Sequence, residues 1–511
     1  MMFRLLTWCV LRRGCLFVRS SMESSFFLGA LASFGDWINR MVKSSGVYSW
    51  LDSSVLTEKY YDTSCFYKLN NWIWKKTLCV IRRFFLPFCK LLEGSVCLRI
   101  YRLTGNKLSI ACLLALFLGG MFVLPHEKWN NLYFVLAIGG FGFWHVLRAV
   151  TGKAKAVPVR PRLSVIAFMA ALTYSTLTAT VPADAVRFFL FLLSSVLCAF
   201  CVQQVLDTEE KLTRFINILL LFVAITGIFG IVQRLMGLEV NPEFVDVHTN
   251  QGMPGRVFST FSNPNSFAQL LVLFMPFFVP GILFSKTWRG KALLTVAFCI
   301  TLVSLVMTYS RSGWVGMAIS TVLFVSIYDK RWLIPMLLLA IAAIPFLPET
   351  VINRIFTIGS MEDSSNAYRL YIWQSCFSMI GDVGFTGLGL GPASFQAVYP
   401  AYASQVAVTA PHSHMLYLQI VLETGVLGAV SFFAYMLGVV KQTAGMMRYM
   451  NRQRKCYAAA GISALAGIAF VCLAEYIWFY PRVMFAFWVI PGLLCAIIKL
   501  TKRDKIERMR K

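Results

Sequence analysis

Two stretches carry residue types suited to chemistry: Arg256-Val-Phe-Ser-Thr-Phe-Ser-Asn-Pro-Asn265 and Pro411-His-Ser-His-Met-Leu-Tyr-Leu-Gln419. Each stands at the start of a long apolar run. Two further arginines have similar settings, Arg311 within Tyr309-Ser-Arg-Ser-Gly-Trp314 and Arg369 in a polar segment. Guanidinium groups hold phosphate oxygens two at a time and stay charged at any biological pH. A histidine such as His414 can take a proton from a hydroxyl near neutral pH, and His412, two residues away, is open to sharing that role. Brought together at one membrane face, these groups would suit an enzyme acting on a phosphate-linked lipid. The segments expected outside contain no Asp-x-Asp pair, so a divalent metal has little support, and cationic side chains must neutralise the leaving phosphate.

The elements that position these residues follow from composition. Of 511 residues, 58% are hydrophobic and 14% charged, far from the balance of a soluble domain. A crossing helix needs about 20 apolar residues. Spans are expected near 108–125, 131–150, 163–182, 186–206, 214–236, 266–285, 292–310, 314–329, 332–348, 415–439, 457–478 and 482–500. The net charge of +25 is spread through the gaps between them rather than gathered on one soluble face, which argues against nucleic acid. Lys153 to Arg162, Lys211 with Arg214, Lys286 to Lys291, Lys330 with Arg331, Arg448 to Lys455 and the tail from Lys499 all fall on one side when twelve spans are counted. The positive-inside rule makes that side cytoplasmic, with both termini inside.

The expected fold is therefore an all-α polytopic membrane protein of about twelve transmembrane helices. One large extracytoplasmic loop, 349–414, separates the ninth from the tenth. Residues 1–107 form a basic cytoplasmic or interfacial region, 108–500 the membrane domain, and 501–511 a basic tail. Within the first region, Cys79 to Tyr101 mixes arginines and lysine with phenylalanines, a pattern suited to an anionic leaflet. Arg12 and Arg13 break the apolar start of the chain, so no cleaved signal is expected.

Several residues have plainer readings. A lone interfacial arginine usually snorkels to headgroups, and Arg187 and Arg482 are expected to do so. Asn263-Pro-Asn265 reads as a turn and helix cap. Ser364-Ser-Asn366 reads as a helix start, after which Arg369 and Trp373 share a face. Gly387-Leu-Gly-Leu-Gly391 is a turn without the lysine of a phosphate loop. His248, beside Asp246, is expected to be solvated. Glu423 lies nine residues beyond His414, about 13 Å deeper on the opposite helix face, and is expected to serve packing. Glu475 is open to either role. Cys198-Ala-Phe-Cys201 sits in an apolar helix and reads as filler.

Taken in order, these motifs resemble the O-antigen ligase and polymerase superfamily of bacterial envelope glycosyltransferases across roughly 210–440. The resemblance runs from Gly255 to Asn265, through Tyr309 to Trp314, Arg369-Leu-Tyr-Ile-Trp373 and the Gly387–Gly391 turn. It ends at His414 to Gln419, Glu423-Thr-Gly425 and Gly428. Met415 departs from the pattern, which has asparagine after the histidine. The resemblance implies a GT-C-like fold and a metal-independent, inverting enzyme without cofactor in the bacterial cytoplasmic membrane. The donor would be a glycan on polyprenyl diphosphate, typically undecaprenyl diphosphate, and the acceptor a glycan, lipid or protein hydroxyl. Arg256 and Arg311 would grip the diphosphate, with Arg369 as a further contact or loop brace, and His414 would activate the acceptor. A repeat-unit polymerase fits the same residues. A lipid-linked sugar flippase fits less well, because ionisable groups gather at one face rather than at midplane.

Overall fold

A computed structural model describes residues 109–150, 162–237, 254–359 and 364–509, with isolated helical residues between Cys65 and Pro87. The remainder of region 1–107, the gap with Lys153, Lys155 and Arg160, and the loop with Asp246 and His248 lie outside the described residues. Among the described residues the chain is helical, without strands.

Each of the twelve apolar stretches is a helix. In chain order the α-helices, these twelve and three between the ninth and tenth of them, are α1 (Ile110–Val123), α2 (Asn131–Val150), α3 (Leu163–Leu177), α4 (Pro182–Val205), α5 (Glu209–Leu235) and α6 (Pro264–Phe284). There follow α7 (Trp288–Met307), α8 (Arg311–Tyr328), α9 (Leu333–Ala343) and α10 (Glu349–Phe356). Next come α11 (Ser364–Val383), α12 (Pro392–Val398), α13 (Leu416–Met446), α14 (Arg452–Val471) and α15 (Pro481–Met509). Among the described residues, seven helices are long and apolar enough to cross a membrane, eight if the segment Lys330–Phe346 is counted with α10, to which it turns through 118°. The protein is thus a polytopic helical membrane protein.

Polar residues at the breaks start these helices by accepting first-turn N–H groups that have no intrahelical partner. Thr208, Thr287, Ser310 and Asn451 cap α5, α7, α8 and α14 in this way. Asn263 caps α6, with Pro264 at the first helical position as its sequence suggested. The α15 helix forms the axis, with 89% of its apolar window buried, whereas α7, with 28%, faces outward. Phe485 of α15 stacks on Phe134 of α2 at 3.7 Å, and Trp488 stacks on Phe168 and Tyr435.

The turns gather at two ends. At one, Arg454 bonds Asp504 at 2.7 Å, Asn451 bonds Glu209 and Arg452 bonds Tyr328. At the other, Arg482 donates to the Leu124 and Thr260 carbonyls at 2.7 Å, and Thr260 to that of Phe122. Arg482 is therefore buried against backbone rather than reaching for headgroups, a correction to its expected role. Arg187 does stay exposed, pairing with Asp184.

The segment expected as one loop is folded. The helices α11 and α12 enclose a small core of Ile372, Met379, Phe395 and Tyr399, closed by Leu418 and Leu422 of α13. This roof is locked to α13 where that helix breaks at Gly425, whose φ is 67°. Backbone groups freed there bond outward: Val426 N–H donates to Gly384 O at 2.9 Å, and Leu422 O accepts from Leu388 N–H at 2.8 Å. A Cβ on Gly425 would fall 2.3 Å from the Phe385 carbonyl oxygen, in a backbone region that other residues occupy only with strain. Gly425→Ala is expected to cost about 3 kcal/mol or more, by strain plus displacement of the roof, read as a lower melting temperature in detergent.

Candidate functional site

Among the described residues, three other than glycine have left-handed backbone: Ser259 (φ 56°), Tyr309 (φ 49°) and His414 (φ 54°). Ser259 and His414 lie in the two stretches singled out from sequence, and Tyr309 in the motif that carries Arg311. Such conformations persist only where surroundings impose them, and they concentrate at functional sites.

The first stretch lies across the end of α7. Val257 N–H bonds Met307 O at 3.1 Å, and Arg256 Nε donates to Thr308 O at 2.8 Å. The Arg256 Nη2 donates to Asn265 Oδ1 at 2.5 Å. From there the network continues, since Asn265 Nδ2 donates to Glu475 Oε1 at 2.9 Å. That same oxygen accepts from Arg369 Nη2, also at 2.9 Å. Arg311, at the start of α8, donates to the carbonyl of Thr357 at 3.0 Å and to Asn366 at 3.4 Å. Arg354, on α10, reaches the Tyr309 carbonyl at 3.5 Å.

The structure thus places Arg256, Arg311 and Arg369 close enough to act on one another electrostatically, together with Arg354 and Glu475. Arg256 and Arg354 are buried, while Arg311 and Arg369 are half-buried. Burial, then the charge of Arg354, push the Arg256 guanidinium down to about 9, with Glu475 opposing. Burial raises the Glu475 carboxyl, against the pull of Arg369, Arg256 and Arg311. At about 9 the guanidinium of Arg256 still carries its charge near neutral pH.

Arg369 and Trp373 do share a face of α11. While Arg369 turns to Glu475, Trp373 Nε1 donates to Ser413 O at 3.0 Å and so reaches the histidine turn. That turn is held tightly. His412 Nδ1 accepts the His414 N–H at 3.0 Å, and Gln419 Oε1 accepts the Ser413 N–H at 2.8 Å. Gln419 is braced by Glu423 Oε1 at 2.8 Å, which also accepts from Tyr476. Glu423 therefore acts on the turn through Gln419. The hydroxyl of Ser413 bonds the Met415 carbonyl, and the Met415 side chain packs on the roof core. Hydrogen bonds from Ser413 and His412 thus fix the turn without an asparagine at position 415.

His412 lies against Phe479, ring centroids 4.5 Å apart, and against His414 at 4.2 Å. Its Nδ1 is committed to backbone, which suits positioning rather than proton transfer. Burial, then the positive charge of Arg369, lower His414 to about 3. Burial, then His414 and Arg369, lower His412 as well. Both imidazoles are therefore neutral near pH 7. Two buried atoms of this group have no hydrogen-bond partner: Nδ1 of His414 and Nε of Arg369. A buried polar atom left unpaired is costly, and two together mark a place where a polar ligand would complete the bonding.

Sequence reasoning missed Arg354 and left Glu475 undecided. The available signal for Arg354 was Glu349-Thr-Val-Ile-Asn-Arg-Ile-Phe356, whose Val351 and Arg354 turn inward together on one short helix. For Glu475 it was a carboxylate just beyond an apolar run.

Residues 268–433 match a family model described as O-antigen ligase. The match includes Arg311, Arg354, Arg369, His412 and His414, and stops short of Arg256 and Glu475. No curated protein matches the chain.

Proposed function

We propose, for a chain whose residues 268–433 match an O-antigen ligase family model, that this cluster transfers a glycan from polyprenyl diphosphate to an acceptor hydroxyl. The observation that carries the reading is the pairing of an unbonded imidazole nitrogen with an unbonded guanidinium nitrogen in one buried group of arginines. On this reading all twelve apolar helices are spans, both termini are cytoplasmic, and the cluster faces outward from a bacterial cytoplasmic membrane. There the polyprenyl tail remains in lipid while the sugar projects into water.

The reaction needs no co-reactant. The acceptor oxygen attacks the anomeric carbon as its proton passes to His414. The bond from that carbon to the diphosphate oxygen breaks, and the electron pair leaves on the diphosphate. Arg311 and Arg369, the more exposed pair, contact its oxygens, while Arg256 and Arg354 beneath them add positive field. Charge grows on the leaving oxygen, so fixed cations there lower the barrier more than they stabilise bound donor. One displacement from the opposite face inverts the anomeric centre. Binding of the anionic donor offsets the charge of Arg369, so His414 becomes more basic once the donor is seated. His412 holds the His414 backbone in place throughout.

Purified protein in lipid nanodiscs, given a polyprenyl-diphosphate glycan and a chemically distinct acceptor, is expected to yield acceptor bearing the whole glycan. Growth of the donor's own chain without added acceptor would assign the polymerase reaction instead. Retention of the glycan on its lipid under every acceptor condition would contradict the proposal.

A further inference from the structure

We infer that Glu475 is a positioning residue that holds the site's arginines in register while it is empty and yields Arg369 to the donor's diphosphate. The inference rests on the diphosphate reading above. Glu475 comes from the turn between α14 and α15, yet its single oxygen Oε1 accepts from side chains of two other elements, Arg369 of α11 and Asn265 of α6. Asn265 in turn accepts from Arg256. One carboxylate therefore ties the roof to the two helices under it, through Arg369 on one side and Asn265 and Arg256 on the other.

Its bond to Arg369 is of the kind that a phosphate oxygen replaces. A guanidinium pairs with carboxylate and phosphate through the same planar fork. Arg369 also has an unbonded Nε beside the bonded Nη2, so a diphosphate could engage the fork that Glu475 uses only in part. The Asn265 bond is neutral and can hold the carboxylate in place as Arg369 shifts. The carboxylate then repels the product, whose negative charge exceeds that of the donor. Glu475 would thus order the empty site and hasten release of polyprenyl diphosphate.

The test compares Glu475→Gln and Glu475→Asp with wild type for binding of geranylgeranyl diphosphate in nanodiscs and for kcat and KM of transfer. Glutamine keeps an oxygen for Arg369 and Asn265 and removes the charge. Glu475→Gln is expected to bind the diphosphate more tightly, by roughly a hundredfold for one unit charge about 6 Å away in a medium of effective dielectric about 20, and to turn over more slowly. Glu475→Asp is expected to bind within about twofold of wild type, because the charge remains. Unchanged or weaker diphosphate binding by Glu475→Gln would overturn the inference, since a brace without an electrostatic role weakens binding when altered. In wild-type protein, a carboxylate stretching band, absent from the Glu475→Gln difference spectrum or assigned by its shift in Glu475→Asp, is expected to move on adding the diphosphate. A band that stays fixed would likewise overturn it. An Arg311→Ala control separates the two levels: if it binds the diphosphate as wild type does, the diphosphate reading itself fails.

Discussion

His414→Ala is expected to lower kcat by about 10²–10⁴, the usual contribution of one positioned base, while donor affinity changes little. The imidazole touches the donor least and the acceptor proton most, so the loss should appear in turnover rather than in binding. His414→Gln keeps a polar side chain without a proton acceptor of useful basicity and is expected to be as inactive. His412→Ala should be milder, because it removes the clamp on the His414 N–H rather than the base. Circular dichroism and melting temperature distinguish loss of chemistry from loss of fold. The pH profile gives a second readout. In the empty site His414 is lowered to about 3 by burial and Arg369. A lowered value leaves the imidazole unprotonated, so kcat/KM for wild type should have no acid limb from His414 between about pH 5 and 7. Arg369→Gln removes the charge that assists burial in this shift. Burial, the larger cause, remains, so His414 should rise only part of the way toward its ordinary value, and the range of about pH 5–7 should stay free of an acid limb from it.

Arg311→Ala is expected to reduce kcat/KM by about 10³, near the upper end of what one oxyanion donor contributes. Arg311→Lys should recover little, since an ammonium is a point charge without the planar fork. Transfer rates with purified variants, normalised to folded protein, measure both. Arg256→Ala should lose activity and stability together, because this guanidinium also closes the end of α7 at the Thr308 carbonyl. Activity retained by Arg311→Ala at the wild-type level would remove Arg311 from the site.

The gathering of Arg256, Arg311, Arg369 and His414 was legible because the alternation of twelve apolar runs predicts four separate regions at one end of the bundle. Helical periodicity then put Arg369 and Trp373 on one face, and both turn toward the site. What periodicity could not reach was the network between regions. Glu475 and Asn265 meet only through the packing of α6 against α14 and α15, and nothing in the sequence near either names the other. Arg354 was hidden because α10 is short and follows a sharp turn, so its inward face is set by the bend and not by the apolar pattern. The interior of 349–414 was obscured similarly. Its small core draws on Phe395, Tyr399 and Leu418, residues spread over two short helices and the start of α13. The break at Gly425 went unread because the run around it is apolar enough to continue as a helix. The left-handed backbone and the approach of the Phe385 carbonyl explain why glycine stands there. Arg482 shows the converse error, since a position at a span edge suggested headgroups while its donors serve the Met121, Leu124 and Thr260 carbonyls.

An experimental structure with polyprenyl diphosphate bound tests the central claim most directly. Phosphate density is predicted within hydrogen-bonding distance of Arg311 and Arg369, beside the imidazole of His414, with the isoprenoid leading into the membrane. Phosphates seated away from these side chains, or at the opposite end of the helical bundle, would contradict it.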